Sequence, residues 1–217
     1  MIQSQFDFEN RENLAKALAV RVAACLSRCI TVNGAATLAV SGGTTPQMFF
    51  EHLSLQQITW DKVSVTLVDE RQVPEDHARS NAALVKKNLL DNCAKAAKFV
   101  PLYENFWAEK LTLNVVVLGM GNDGHTASFF PGGNNLAEAI APHSKISIIE
   151  MQAPAAGEPR LTFSLHKLLA AQSLFLHIEG QEKRDVLAKA NAGTDVMAMP
   201  IRAVLQSPRP LQIYWCP

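Results

Sequence analysis

Val115 to Pro131 reads VVVLGMGNDGHTASFFP. A run of apolar residues, Val115 to Leu118, stops at Gly119, and Gly121 and Gly124 follow closely. Asp123, His125, Thr126 and Ser128 stand between and after these glycines. The pattern predicts a buried strand that ends in a loop whose backbone can approach a ligand. Asp123 and His125, two apart on that loop, are a candidate acid–base pair. Open α/β sheets bind ligands at the carboxyl ends of their strands, so the loop also indicates where a site lies. GMGNDG, Gly119 to Gly124, satisfies G-x-G-x-x-G, but that match is weak alone. Phe129-Phe130-Pro131-Gly132-Gly133 interrupts the helix the fingerprint should open, and Ser144 stands in the region where an acidic ribose ligand belongs. No nicotinamide cofactor, and no other cofactor, is expected.

Working outward, Thr37 to Val40 reads as a short strand running into Ser41-Gly42-Gly43-Thr44-Thr45-Pro46. Pro46 suits the first turn of a helix and Thr45 its cap. A glycine turn entering a helix N-terminus offers backbone N–H groups and a helix dipole to an anion, usually phosphate. The same turn also reads as a plain strand–helix connection, and it lacks the G-K-[ST] ending of a Walker loop. Val63 to Val68 is the next strand and ends in Asp69-Glu70-Arg71. Charged residues straight after a buried strand mark a site at its carboxyl end. A solvated turn is the plain alternative, above all for Glu70.

Leu14, Leu18, Val22, Cys25 and Cys29 recur at helical spacing from about Asn10, and Asn33-Gly34 closes that helix. Ser80 caps a helix through about Leu90. Asn135 to Ile140 predicts a short helix, Ile146 to Met151 a strand, and Ala153 to Pro159 a surface loop. Arg160 to Ser164 leads to a helix ending near Ala171, and Leu174 to Ile178 is a strand. A helix begins at about Gln181 and carries Lys183 and Arg184 in its first turn. Cations there oppose the helix dipole, which fits either a nearby anion or a solvated surface. Met199 to Val204 makes a turn and helix, and Leu211 to Trp215 a last strand. Strands and helices alternate without linker or repeat, which predicts one α/β domain, residues 1–217, with a mostly parallel sheet.

The chain has 217 residues, enough for a sizeable core. Its 20 Lys and Arg balance 20 Asp and Glu, which argues against a nucleic-acid or membrane-surface partner. No stretch approaches the length of a membrane span. The first residues, MIQSQFDFENRENL, lack the basic-then-apolar pattern of a signal peptide. Cys25, Cys29, Cys93 and Cys216 form no C-x-x-C pair and read as thiols, which fits a reducing cytoplasm.

SGGTTP, LVDER, LGMGNDGHTASFFPG and the pair PRLTFS with GQEKRDVL occur in this order along most of the chain. Together they resemble the 6-phosphogluconolactonase family, and DGHTAS before a Phe-Pro-Gly turn is the specific part. The resemblance implies a modified Rossmann-like open sheet, mostly parallel, with helices on both faces, that binds sugar phosphates without a nucleotide. It also implies hydrolysis of 6-phospho-D-glucono-1,5-lactone to 6-phosphogluconate, the second step of the oxidative pentose phosphate pathway. The expected partner is therefore a small sugar-phosphate lactone, bound by a monomer or small homo-oligomer. Val68 departs from the Gly that many members place before Asp-Glu-Arg, and Gln47 from a frequent Lys after the Pro. The rivals are a deaminase-like isomerase acting on glucosamine 6-phosphate, with Asp69 as base, and a non-catalytic sugar-phosphate sensor. Arg71 and Thr126-Ala127-Ser128 favour the lactonase, and no basic DNA-binding segment supports the sensor.

The chemistry can be argued without the family. A lactone is an ester, so its hydrolysis needs an activated nucleophile and stabilisation of an oxyanion. The chain has neither a G-x-S-x-G elbow nor an H-E-x-x-H helix. Histidine titrates near neutrality, so His125 can take a proton from water and return it to the departing ring oxygen. Asp123 would fix its orientation, and backbone N–H groups of the glycine loop, Gly121 among them, would face the oxyanion. Asp69 and Arg71 are assigned to the substrate, Arg71 to its sugar end. Ser41, Gly42, Gly43 and Thr44 would hold the phosphate. Arg160 and Lys183 join them because matching positions in the deaminase relatives bind phosphate, with Arg184 as the near alternative to Lys183. No metal ligand is assigned. His52, His77, His143, His166 and His177 read as structural or exposed.

Overall fold

A computed structural model describes residues 3–154 and 156–217. The first half runs β1 (Gln3–Asp7), α1 (Arg11–Asn33), β2 (Ala36–Val40), α2 (Gln47–Ser54), β3 (Val63–Leu67), β4 (Asp69–Arg71), α3 (Asn81–Asn88), β5 (Lys98–Phe99) and α4 (Asn105–Ala108). The second runs β6 (Val115–Leu118), α5 (Leu136–Ala139), β7 (Ile148–Met151), β8 (Arg160–Phe163), α6 (Leu165–Leu169), β9 (Ser173–Glu179), α7 (Gln181–Asn191), α8 (Ile201–Leu205) and β10 (Leu211–Cys216). Local chemistry sets several boundaries. The Asn10 side chain accepts the Asn13 N–H at 2.9 Å, and Gly34 ends α1 at φ 77. Ser80 caps α3 as the sequence predicts. At α2 the expectation fails: Pro46, not Thr45, occupies the cap position, and it makes no side-chain capping hydrogen bond.

Seven strands form one parallel sheet in the order β1-β10-β9-β6-β2-β3-β5. Every residue of β2 and β6 is buried, so both faces of the sheet centre are covered. Helix α1 packs on α2 and across β2, β6 and β10, whereas α7 packs on α8 and β9. The chain moves from β2 outward to β3 and β5, then returns to β6 and moves the other way to β9 and β10. The order reverses between β2 and β6, and a doubly wound sheet opens its binding crevice at such a reversal. The open, parallel α/β architecture expected from the sequence is therefore the one observed.

Two features depart from the sequence reading. β1 lies before the first helix, where no strand is expected, and pairs in parallel with β10. A second, antiparallel sheet has the order β4-β8-β7. Asp69-Glu70-Arg71 is thus a strand of that sheet, reached through Val68, rather than a loop at the end of β3. Val68 joins both sheets: its N–H donates to the Val40 carbonyl at 2.9 Å, and its carbonyl accepts the Phe163 N–H at 3.0 Å.

Alternation along β4 turns Asp69 and Arg71 to one face and Glu70 to the other. Glu70 is not solvated. It is 3% exposed and accepts the N–H groups of Asn81 at 2.8 Å and Ala82 at 2.7 Å. Burial pushes its carboxyl above the usual range, although these N–H donors and that of Arg71 pull it down. Glu70 therefore fastens the N-terminus of α3 to the second sheet. Glu70→Gln leaves a buried amide with one oxygen for several donors. The expected loss of stability is about 1–3 kcal/mol, the scale of a buried unsatisfied group. Urea denaturation checks this, and an unchanged midpoint contradicts it.

Candidate active site

At the reversal point the Ser41 N–H donates to the Val117 carbonyl at 3.0 Å. The Ser41 hydroxyl in turn accepts the Gly119 N–H at 3.0 Å. The turn after β2 and the loop after β6 are thus fastened together. Above them lies a cavity of about 360 Å³. It is lined by Ser41, Gly42, Gly43, Thr44, Asp69, Arg71, Gly121, His125, Arg160 and Lys183. Asp123 does not line it but holds a residue that does.

His125 Nδ1 lies 2.5 Å from Asp123 Oδ1, and the His125 backbone N–H donates to the same oxygen at 3.0 Å. Burial alone would raise the Asp123 carboxyl, but the His125 side chain and backbone outweigh it and bring it to about 2. With Nδ1 committed to the carboxylate, Nε2 is the nitrogen free to exchange a proton. The His125 ring packs on Phe130 with centroids 4.5 Å apart.

Gly121 has a different part from the one expected. Its N–H donates to the His125 carbonyl at 2.8 Å. The Gly124 N–H donates to the Gly121 carbonyl, the Gly119 N–H to Ser41 and the His125 N–H to Asp123. These donors are spent inside the loop and are not aimed at an oxyanion. The need for glycine is steric: a Cβ at Gly121 would lie 2.1 Å from His125 Nδ1 and 2.6 Å from Asp123 Oδ1. Gly124, at φ +79, receives Met199 against its bare face, and its carbonyl accepts the Ile201 N–H. The segment before α8 therefore supports the loop from behind.

The second sheet forms the opposite wall. Asp69 pairs in register with Thr162, and Arg71 with Arg160. Asp69 Oδ2 accepts the Ser128 hydroxyl at 2.6 Å and lies 4.0 Å from Arg160 Nη1. Arg160 is 6% exposed and donates to the carbonyls of Ala156 at 2.7 Å and Glu158 at 3.3 Å. Burial lowers its pKa, and Arg71 and Arg79 add to the lowering, against Asp69 and Glu158.

Lys183, assigned from the sequence, and Arg184, its near alternative, point different ways. Lys183 faces the cavity; burial lowers its pKa, against the nearby charges of Glu182 and Asp123. Arg184 turns away to Asp7 and the Trp215 ring. The cavity also takes residues that the sequence reading missed. Arg79 reaches it from the loop before α3, and Asn81 packs its side chain on Gly42. His177, read as structural or exposed, is buried at 3% exposure and lines the cavity. Its Nε2 lies 3.0 Å from Glu179 Oε1, and Arg11 Nε lies 3.0 Å from Glu179 Oε2. A signal existed: His177 and Glu179 are spaced two apart at a strand end, as Asp123 and His125 are on their loop.

The chain matches the family described as glucosamine-6-phosphate isomerases/6-phosphogluconolactonase over residues 9–215. It is 51% identical to a 6-phosphogluconolactonase of Rhizobium meliloti, over 97% of each chain. It is 40% identical to that of Pseudomonas putida, over 97% of this chain and 92% of the other. The crystal structure of a 6-phosphogluconolactonase from Shewanella baltica superposes with TM-score 0.94 at 36% identity, covering 99% of this chain and 98% of that one. With the glycine loop, the fastened strand ends and the antiparallel wall all in place, the chain belongs to the glucosamine-6-phosphate isomerase/6-phosphogluconolactonase family.

Proposed function

We propose that the chain hydrolyses 6-phospho-D-glucono-1,5-lactone to 6-phospho-D-gluconate, as a cytoplasmic 6-phosphogluconolactonase. The observation that carries this reading is the His125–Asp123 pair, set 2.5 Å apart on a glycine loop at a sugar-sized cavity. Family membership and relatives named for that activity support it.

His125 Nε2 takes a proton from water as the water oxygen bonds to the lactone carbonyl carbon. The tetrahedral intermediate collapses by breaking the bond to the ring oxygen, and the imidazolium returns its proton to that oxygen. Asp123 stays ionised and holds the imidazole in one orientation throughout. Because the loop N–H groups of Gly121 and Gly124 are engaged, the charge on the carbonyl oxygen is met by the cavity's cations. The phosphate lies on the Ser41–Thr44 turn, below the uncapped N-terminus of α2, with Arg160 and Lys183 as its charged partners. Asp69, the base that a deaminase-like isomerase would need, is instead held by Ser128 and Arg160, which favours a fixed role toward the sugar and Arg71.

His125→Ala and His125→Asn should lose on the order of a hundredfold or more in kcat while still binding product. Turnover near the parent's rate would remove His125 from the mechanism. The carboxyl of Asp123 at about 2 lies far below the working range, so it stays charged. A plot of log kcat/KM against pH should therefore fall on its acid side through a single ionisation down to about pH 4. A second acid limb above that would mean that the pair titrates otherwise.

Gly121→Ala tests the steric argument. Its new methyl must displace the imidazole or the carboxylate, and misplacement by about 1 Å costs roughly a hundredfold. The expected result is a large fall in kcat with a retained circular dichroism spectrum. Parental kcat would show that the loop yields instead.

Lys183→Ala distinguishes the two tasks open to its ammonium. The ratio of kcat/KM for the phosphorylated over the unphosphorylated lactone should drop by about tenfold, the scale of a lost charge-assisted hydrogen bond. Equal losses on both lactones would assign Lys183 to the reacting carbon instead.

A further inference from the structure

Three guanidinium groups, Arg71, Arg79 and Arg160, line one side of the cavity. Arg160 spends its Nη2 and Nε donors on carbonyls of the loop before β8. Arg71 Nη1 donates to the Arg79 carbonyl at 2.5 Å and so braces the loop before α3. Arg71 and Arg160 also stand directly opposite each other across β4 and β8. Like charges in that register destabilise a sheet, which an anion at this wall would relieve.

Arg79 is held differently. Its side chain is 52% exposed, and its charged partner is Glu158, with Nε 3.0 Å from Oε1. The pair ties the two loops together beside the cavity. Glu158 also lies 4.0 Å from Arg160 Nη2. Its own backbone N–H, then Arg79, Arg160 and Arg71, hold its carboxyl below the usual range, so it is a standing anion. Exposed ion pairs are weak and exchange partners readily. Arg79 precedes Asn81 by two residues, and the Asn81 side chain packs on Gly42 of the anion-binding turn. The exposed guanidinium and that turn thus border one space.

We propose that Arg79 captures the substrate's phosphate, and that Glu158 occupies the guanidinium until the phosphate displaces it. The proposal rests on the lactonase reading of this site. Glu158 carries one negative charge, and a phosphate monoester carries nearly two at neutral pH. Arginine also takes phosphate through two parallel N–H donors. A dianion therefore wins the exchange, whereas a carboxylate monoanion gains no charge over Glu158. The clasp selects for phosphorylated lactones against acidic sugars of similar size.

The test uses the whole chain with inorganic phosphate, titrated by calorimetry, and both lactones in kinetics. Arg79→Ala should weaken phosphate binding by about tenfold, and Arg79→Lys by less, since the charge remains without the fork. Glu158→Gln should tighten phosphate binding several-fold and lower KM for the phosphorylated lactone. Glu158→Gln should tighten binding less in an Arg79→Ala background than in the parent, because there only its charge near Arg160 is removed and no competitor for Arg79. Arg79→Ala with parental phosphate affinity would overturn the proposal. So would Glu158→Gln with unchanged or weaker affinity. If these binding shifts occur but the parent accelerates neither lactone's hydrolysis, the clasp stands and the lactonase reading fails.

Discussion

Two adjacent parallel strands whose connections leave in opposite directions create the opening on which the rest of this molecule depends. β2 and β6 are paired through Leu38, Ala39 and Val40. Beyond that pairing β2 runs into the turn before α2 and β6 into the glycine loop, and the next strands, β3 and β9, lie on opposite sides of the pair. Ser41 closes the floor of the opening with one donated and one accepted hydrogen bond. The glycine turn and the glycine loop then stand side by side, held by the Ser41 backbone N–H and by its short hydroxyl side chain. A side chain carried on such a loop, as His125 is, is held in place by the sheet itself, which is the preorganisation that the proposed proton transfer would need.

How much of this was legible depended on distance along the chain. The His125–Asp123 pair, the Ser41–Thr44 turn and the caps of α1 and α3 are local, and local spacing revealed them. The antiparallel wall was not legible. β4 has three charged or carboxylate-bearing residues and no apolar alternation, so it carries none of the usual strand signal. It exists because β8, far away in sequence, supplies partners for its backbone. For the same reason Glu70 read as solvated while its partners lay at the start of α3, and Arg79 read as part of a loop. β1 was missed because it is an edge strand in which Ser4, Gln5, Phe6 and Asp7 are all exposed, so it has no buried face to leave an apolar alternation in the sequence.

The glycine loop gives its glycines a part other than the one their spacing suggested. Its three glycines suggested donors facing a ligand. The geometry spends those donors within the loop and uses the absent side chains as space for an imidazole, a carboxylate and Met199. The buried His177–Glu179–Arg11 chain is a second histidine–carboxylate pair built on the same two-residue spacing. It sits on a strand rather than a loop, and it needs a cation behind the carboxylate where Asp123 has backbone N–H instead.

The pairing of β1 with β10 has a bearing on how the protein is made. Residues Gln3 to Asp7 find their partners only in Leu211 to Trp215. During synthesis β1 has no place in the sheet until β10 has followed it. The interior strands can assemble in the meantime, and this edge closes as a late step. Because the two strands run parallel, the end of β10 lies a strand length away from the start of β1, so any linker that joined them to open new ends in a surface loop would have to run back along the whole pair.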